Sequence, residues 1–399
     1  MFKKHTNIIV IVCVALCSSM LTCIFHHVSF SVKYGDALQK IMAVKRIIAD
    51  YGMYEADEET LGDYGAMGLT AAVEDPYTAY YPEKEFASYM TEMQTTYIGV
   101  GAIIGADLER DCLVIISPMD NSPAEKAGVR PGDLLKAIDG EAYNSMQLSD
   151  ASYYLKKGEI GSKVTVTVER DGETFDLVIE RDRIIKETVS SKMVENNIGY
   201  IRISEFDYSS EKENKNTAEE FKDHYESLKS AGMERLIIDL RNNPGGEIGV
   251  ACSIADMLLP EGTITYTEDK RGRRETYKSD KEECTLPMVV LVNGGSASAS
   301  EIVTSALKDY NKATIVGTKT YGKGIVQTVI PFTDGSGMSI TIAKYYTPNG
   351  KCIHQVGIEP DVTVKMDTDK SISDLEYNED IQLKKAVELL SSDVQDSNR

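Results

Sequence analysis

Three serines recur at every second position in Ser296-Ala297-Ser298-Ala299-Ser300-Glu301. One lysine lies between glycines in Gly322-Lys323-Gly324-Ile325-Val326-Gln327. A serine hydroxyl becomes a nucleophile when a base takes its proton, and a desolvated lysine amine can be that base. The pair suggests serine–lysine hydrolysis. Ser298 and Glu301 have the spacing of a capping box, which puts the cluster at a helix start. Backbone N–H groups converge there, and the helix dipole favours an oxyanion. The N–H of Ala299 is one candidate oxyanion donor. The turn Pro244-Gly245-Gly246 is the natural source of a second, with Gly245 favoured over Gly246. Lys323 and Gln327 are four apart in a strand-like segment. If that strand is regular, both face one way and Gln327 can orient the amine.

Other chemistries fit less well. Ser305-Ala306-Leu307-Lys308 has the S-x-x-K spacing of penicillin-binding enzymes, but it lies mid-helix with no K-T-G after it. Past the N-terminal run only His224 and His354 could serve a serine–histidine triad, and neither belongs to a recognisable triad motif. There is no H-E-x-x-H and no C-x-x-C, so the chain implies no metal and no cofactor. The seven cysteines are widely scattered and read as free thiols.

The elements that must position these residues follow from hydrophobic period and turn residues. Residues 33–93 read as three short amphipathic helices, too few to bury themselves, that pack on the main body or on a second copy. Residues 95–182 carry short β-like runs, a short helix at Ser122–Gly128 and a hairpin signal at Asp171-Gly172. Residues 183–365 read as α/β. Buried strands are expected at Leu236–Leu240 and Met288–Val292, with helices at Thr217–Ser230, Ile248–Leu259 and Ala299–Tyr310. Residues 262–285 read as a cap-like excursion. The tail 366–399 holds one helix, with an unstructured end from Ser392.

Tyr97-Ile98-Gly99-Val100-Gly101, Ser122-Pro123-Ala124 through Ala127-Gly128, and Gly132-Asp133-Leu134-Leu135-Lys136-Ala137-Ile138-Asp139-Gly140 closely resemble a PDZ domain. Such a domain binds an extended peptide along a sheet edge and captures its C-terminal carboxylate in backbone amides. The resemblance makes Ile98, Gly99, Val100 and Gly101 the carboxylate loop.

Asp239-Leu240-Arg241-Asn242-Asn243-Pro244-Gly245-Gly246, Val292-Asn293-Gly294-Gly295-Ser296 through Ile302, and Gly317-Thr318-Lys319-Thr320-Tyr321-Gly322-Lys323-Gly324 through Gln327 together resemble the carboxyl-terminal processing (tail-specific) peptidases. The order of N-terminal helices, PDZ domain and catalytic core matches as well. The resemblance implies Ser298 as nucleophile, Lys323 as general base and Gln327 as its orienter; it is what selects Ser298 over Ser296 and Ser300. It also implies a multidomain α/β fold with a crotonase-like core and a homodimer built through the terminal helices. A tethered PDZ adaptor with an inactive core is the non-enzymatic alternative.

The N-terminus reads as an address. Lys3 and Lys4 precede Ile8–Phe25, a run without a charged residue long enough for a spanning helix of about 20 residues. No cleavage site of the A-x-A kind follows, so residues 1–30 are expected to be a retained anchor with the rest outside the cell membrane; cleavage and secretion is the second choice. The net charge is −20, which argues against a nucleic-acid partner. The expected partners are protein or peptide substrates with an apolar C-terminus.

Overall fold

The computed structural model describes residues 36–92, 96–119, 122–185, 187–207, 215–366, 372, 375 and 377–397. The expected membrane anchor lies outside them. Among the described residues no helix is long and apolar enough to cross a membrane.

The chain divides at Tyr80 into two compact units. The first holds helix α1 (36–51) and helix α2 (Glu58–Ala71). Asp57 caps α2 by accepting the Thr60 N–H at 2.8 Å. Lys45 and Glu58 pair, and the Tyr80 hydroxyl donates to Asp63 at 2.7 Å. Leu38, Ile41, Met42, Val44, Ile47 and Ile48 of α1 are exposed, so its apolar residues are uncovered. A short strand β1 (Ala79–Tyr81) follows the turn in which Asp75 accepts the Tyr77 N–H.

The second unit opens with α3 (Glu83–Glu92) and a β-rich region. There β2 (Thr96–Gly99) pairs with β9 (Asp182–Ile185). Between them lie β3 (Ala102–Asp107), β4 (Cys112–Pro118), α4 (Pro123–Lys126), β5 (Leu134–Ile138), β6 (Glu141–Ala142), α5 (Leu148–Lys156), β7 (Lys163–Arg170) and β8 (Glu173–Glu180). Strands β3-β4-β5-β7-β8 form one antiparallel sheet with β3 at its edge. Strand period explains its core: Val164, Val166 and Val168 of β7 are buried while their neighbours are not. Asp171 and Gly172 both have positive φ, which gives the β7–β8 hairpin its tight turn. Buried Asp133 accepts from Arg170 Nε at 2.6 Å and Nη2 at 2.7 Å. Burial raises the Asp133 carboxyl, but the Arg170 and Arg130 bonds and charges outweigh it, and the net shift is downward.

The remaining chain builds a six-stranded sheet of β10 (Val189–Val194), β11 (Ile198–Ile203), β12 (Arg235–Asp239), β15 (Met288–Val292), β16 (Ala313–Gly317) and β19 (Val362–Thr363), in that spatial order. All its pairings are parallel except β10–β11. Both faces are covered, which is why β12 and β15 are continuous apolar runs rather than alternating ones. Leu236, Ile238, Val290 and Val292 face the core built with α6 (Thr217–Ser230), α7 (Ile248–Leu258) and α8 (Ala299–Asp309). Ile237, Val289, Leu291 and Val316 face α9 (Ile381–Ser397) through Leu383, Ala386, Val387 and Leu390. The helix reaches Ser397, so the stretch from Ser392 expected to be unstructured continues α9 instead. The excursion is the β13 (Gly262–Asp269)–β14 (Arg274–Ser279) hairpin. It joins β17 (Ile325–Pro331) and β18 (Gly337–Tyr346) in a second, antiparallel sheet. Cys112, Cys252 and Cys284 are buried, Cys352 half-buried, and all four are free thiols.

Candidate active site

Strands β12, β15 and β16 are neighbours and run parallel, so their carboxyl ends lie side by side. Each opens into one of the segments singled out in the sequence. The Arg241–Gly246 turn follows β12, the serine cluster follows β15, and the Lys323 loop follows β16. Carboxyl ends of parallel strands are where such sheets hold their sites.

Burial separates the three serines. Ser296 and Ser300 are fully buried. The Ser296 hydroxyl donates to the Leu240 carbonyl at 2.7 Å, and that of Ser300 to the Asn243 carbonyl at 2.9 Å. Both are committed to holding the two turns together. Ser298 alone of the three is half-buried. Its backbone sits at φ 54, ψ −117, not in the extended conformation of an ordinary N-cap. Such strain persists where the surroundings over-determine it.

Glu301 supplies much of that determination. Its carboxylate is wholly buried and accepts four hydrogen bonds. Oε2 takes the N–H of Ser298 at 3.0 Å and of Lys323 at 2.8 Å. Oε1 takes the N–H of Gly322 at 2.8 Å and the Thr320 hydroxyl at 2.6 Å. Burial pushes the Glu301 carboxyl up, and its donors offset this only in part. The capping spacing therefore marks more than a helix end, because one carboxylate ties the serine to the lysine loop. Tyr345 closes the same pair from the other side, donating toward the Ser298 carbonyl at 2.8 Å and the Lys323 carbonyl at 2.6 Å.

Gly245 lies against the serine turn. A Cβ there would fall 2.7 Å from Ser298 Cβ and 2.9 Å from the Ala299 nitrogen. Only a glycine allows this approach at φ 107. Its N–H donates to Asn243 Oδ1 at 2.9 Å, while Asn243 Nδ2 donates to the Ile203 carbonyl at 3.0 Å. The expected oxyanion donor is thus engaged by Asn243 in this conformation.

Lys323 is half-buried and lies ahead of β17, which starts at Ile325. The pairing steps from Val326–Ala343 to Gln327–Thr341, so β18 carries the extra residue, Ile342, and β17 itself continues unbroken from Ile325. The alternation expected to align Lys323 with Gln327 applies within β17 from Ile325 on, and Lys323 lies two residues before it. Gln327 Nε2 donates to Ser339 Oγ at 2.8 Å. The His354 main chain packs on Gly324, while His224 bonds Ser191 at 2.7 Å. Among the described residues no group of three or more His, Cys, Asp or Glu side chains could hold a metal ion.

Behind the Asn242–Gly246 turn, fully buried Arg241 joins it to the C-terminal helix. It donates to Asp239 at 2.9 Å, to Asp380 at 2.8 and 2.9 Å, and to Gln382 at 3.0 Å. Asp380 also accepts the Leu383 N–H at the start of α9.

Residues 197–364, which span these turns, match peptidase family S41, and residues 114–170 match the PDZ domain. The chain is 37% identical to the carboxy-terminal processing protease CtpA of Bacillus subtilis over 83% of its own length and 69% of that protein's. It is 33% identical to a CtpA-like serine protease of Staphylococcus saprophyticus, over 96% of this chain and 78% of the other. The chain belongs to the carboxyl-terminal processing proteases of family S41. The photosystem II D1 C-terminal processing protease is similar in structure, at TM-score 0.50 and 30% identity over 81% of this chain and 86% of that one. An S41 protease from Bacteroides fragilis, at TM-score 0.52 and 17% identity over 80% and 87%, shares the fold. This S41 chain is a serine-type peptidase with a PDZ domain, so the inactive adaptor is set aside.

In the segment expected to be the carboxylate loop, Ile98 and Gly99 lie in β2, Val100 is buried, and Gly101 has φ 71. The Val100 carbonyl accepts the Ala124 N–H at 2.8 Å, and that of Gly101 accepts the Met119 N–H at 2.9 Å. A Cβ on Gly101 would fall 2.5 Å from Ser122 Cβ. The edge strand β3 runs beside α5. Glu301 was legible as a cap residue, and Asn243 as a turn former; no local signal marked Tyr345.

Proposed function

We propose that this peptidase cleaves proteins outside the cell membrane by a Ser298–Lys323 dyad and selects them by their C-terminal ends. The observation that carries the reading is that Ser298 alone of the three serines is half-buried, on a main chain bonded to the same two side chains as that of Lys323. Neutral Lys323 takes the Ser298 proton as Oγ attacks the scissile carbonyl. The ammonium then returns the proton to the leaving amine, and water resolves the acyl-enzyme. Gln327, anchored by Ser339, presents its carbonyl oxygen to the amine. The Ala299 N–H at the first turn of α8 meets the oxyanion. Gly245 joins it by exchanging Asn243 Oδ1 for the substrate oxygen.

The PDZ domain holds an apolar C-terminus as an added strand on β3, with its carboxylate at Ile98-Gly99-Val100-Gly101. Residues 1–30 anchor the chain in the membrane. The uncovered apolar residues of α1 support a homodimer through the N-terminal helices.

The test is an unstructured labelled peptide ending in Val-Ala-Ala, given to the parent and to Ser298→Ala. The parent should cut it, the variant should not, and an amidated end should slow the parent. Equal cutting by parent and variant refutes the dyad, and indifference to the amide refutes C-terminal recognition.

A further inference from the structure

We propose that Tyr345 is a positioning residue that sets the distance between nucleophile and base by binding the main-chain carbonyls of both; this rests on the Ser298–Lys323 reading. Its hydroxyl lies 2.8 Å from the Ser298 carbonyl oxygen and 2.6 Å from that of Lys323. The N–H groups of the same two residues converge on Glu301 Oε2. Each residue is therefore tied twice, through its N–H by a carboxylate and through its C=O by a phenol. A phenol has one hydrogen to donate, so the two carbonyls share it and are drawn to one point.

Tyr345 belongs to β18 of the antiparallel sheet, whereas Ser298 and Lys323 lie on turns leaving the parallel sheet. It thus fixes both turns from outside the layer that carries them. Its own N–H donates to the Gly324 carbonyl at 3.2 Å, which pins its main chain to the lysine loop. The side chain is 2% exposed. A phenylalanine would fill almost the same space, and a buried hydroxyl costs stability unless it is bonded. Burial pushes the phenol well above its ordinary range, and the Glu301 and Cys352 charges add to this, so it remains a donor at neutral pH. Ser298 is held at a backbone conformation that L residues rarely adopt, and a double tie is what such strain requires.

The test uses the full chain and the peptide ending in Val-Ala-Ala. Removing the shared donor in Tyr345→Phe should lower kcat about 10- to 100-fold. KM should change less than about twofold. The midpoint of the kcat–pH profile should move, because the amine shifts with its main chain. Tyr310→Phe is the control: it removes a hydroxyl that donates to the Thr263 carbonyl at 3.1 Å from the far end of α8. It should lower Tm comparably and leave kcat and the pH profile alone.

Parent-like kcat and pH profile in Tyr345→Phe overturn the proposal. Cleavage by Ser298→Ala overturns the dyad itself, whatever Tyr345→Phe does. If Tyr345→Phe does not fold, fluorinated tyrosines at position 345 keep the ring and make the phenol progressively more acidic. Its titratable neighbours Glu301, Lys323 and Cys352 are the same across the series. Because the buried phenol stays protonated, a more acidic hydroxyl donates more strongly to both carbonyls, so kcat at neutral pH should change stepwise with each fluorine; a kcat that is constant across the series overturns the proposal.

Discussion

Two glycine-bearing turns do different work in this chain. At the peptidase centre, side chains hold the main chain: Glu301, Tyr345, Ser300 and Asn243 each bond backbone groups of the catalytic turns. At the proposed carboxylate loop, main chain holds main chain, with the Val100 and Gly101 carbonyls bonded to the Ala124 and Met119 N–H groups. The contrast follows from the tasks. Acyl transfer needs atoms fixed to a fraction of an ångström, and buried side chains from several elements can over-determine them. The proposed capture of a peptide end would need a backbone edge left open at β3, which an ordinary ladder provides.

The comparison breaks most visibly at the serines. Ser298→Ala should lower kcat by at least about 10,000-fold with little loss of stability. Ser300→Ala should do the reverse: it takes one of two donors from the Asn243 carbonyl, which keeps the Ala297 N–H at 3.0 Å, costs about 0.5–1.5 kcal/mol in urea unfolding, and keeps most of the activity. Similar kinetics for the two variants would erase the distinction between reacting and scaffolding hydroxyls.

Arg241→Met probes the scaffold behind the β12 turn. It strands Asp380 without its cation, leaves Asp239 only Arg202 at 3.7 Å, and should cost about 3–5 kcal/mol by denaturant unfolding. Gly101→Ala probes the other region. Positive φ and the contact with Ser122 should cost about 1–3 kcal/mol. In kinetics it should raise KM for peptides with a free carboxylate while leaving kcat near the parent value. A fall in kcat with KM unchanged would mean that the loop acts on the chemistry.

The smallest effect is in acid. Burial raises the Asp380 carboxyl, but the Arg241 bond and charge outweigh it, and the net shift is downward. A carboxyl lowered on folding contributes stability above its unfolded value of about 3.9, and this is lost as pH falls through the folded value. Stability of the parent should therefore drop more steeply below about pH 4 than that of Asp380→Asn. Equal slopes would remove Asp380 from the acid response.

Much of the site was legible because its residues sit at fixed offsets on single elements. Ser298 and Glu301 share one helix start, Gly245 follows one buried run, and α6 spans Thr217–Ser230 as its pattern requires. The rest depends on contacts that no local pattern encodes. Tyr345 lies 47 residues from Ser298 and meets it only because β18 folds over the lysine loop. The extra residue Ile342 of β18 opposite the Val326–Gln327 step shows no sequence sign, and neither does the start of β17 at Ile325, two residues past Lys323. Engagement of the Gly245 N–H by Asn243 depends on a side-chain rotamer inside the turn, which spacing does not determine.

The most direct test of the central claim is to trap the acyl-enzyme. Parent protein is mixed with the labelled peptide, quenched in acid within one turnover, digested, and the acylated residue mapped by mass spectrometry. The account predicts the acyl group on Ser298, and its disappearance in Lys323→Ala. An acyl group on Ser296, Ser300 or any other residue would contradict it.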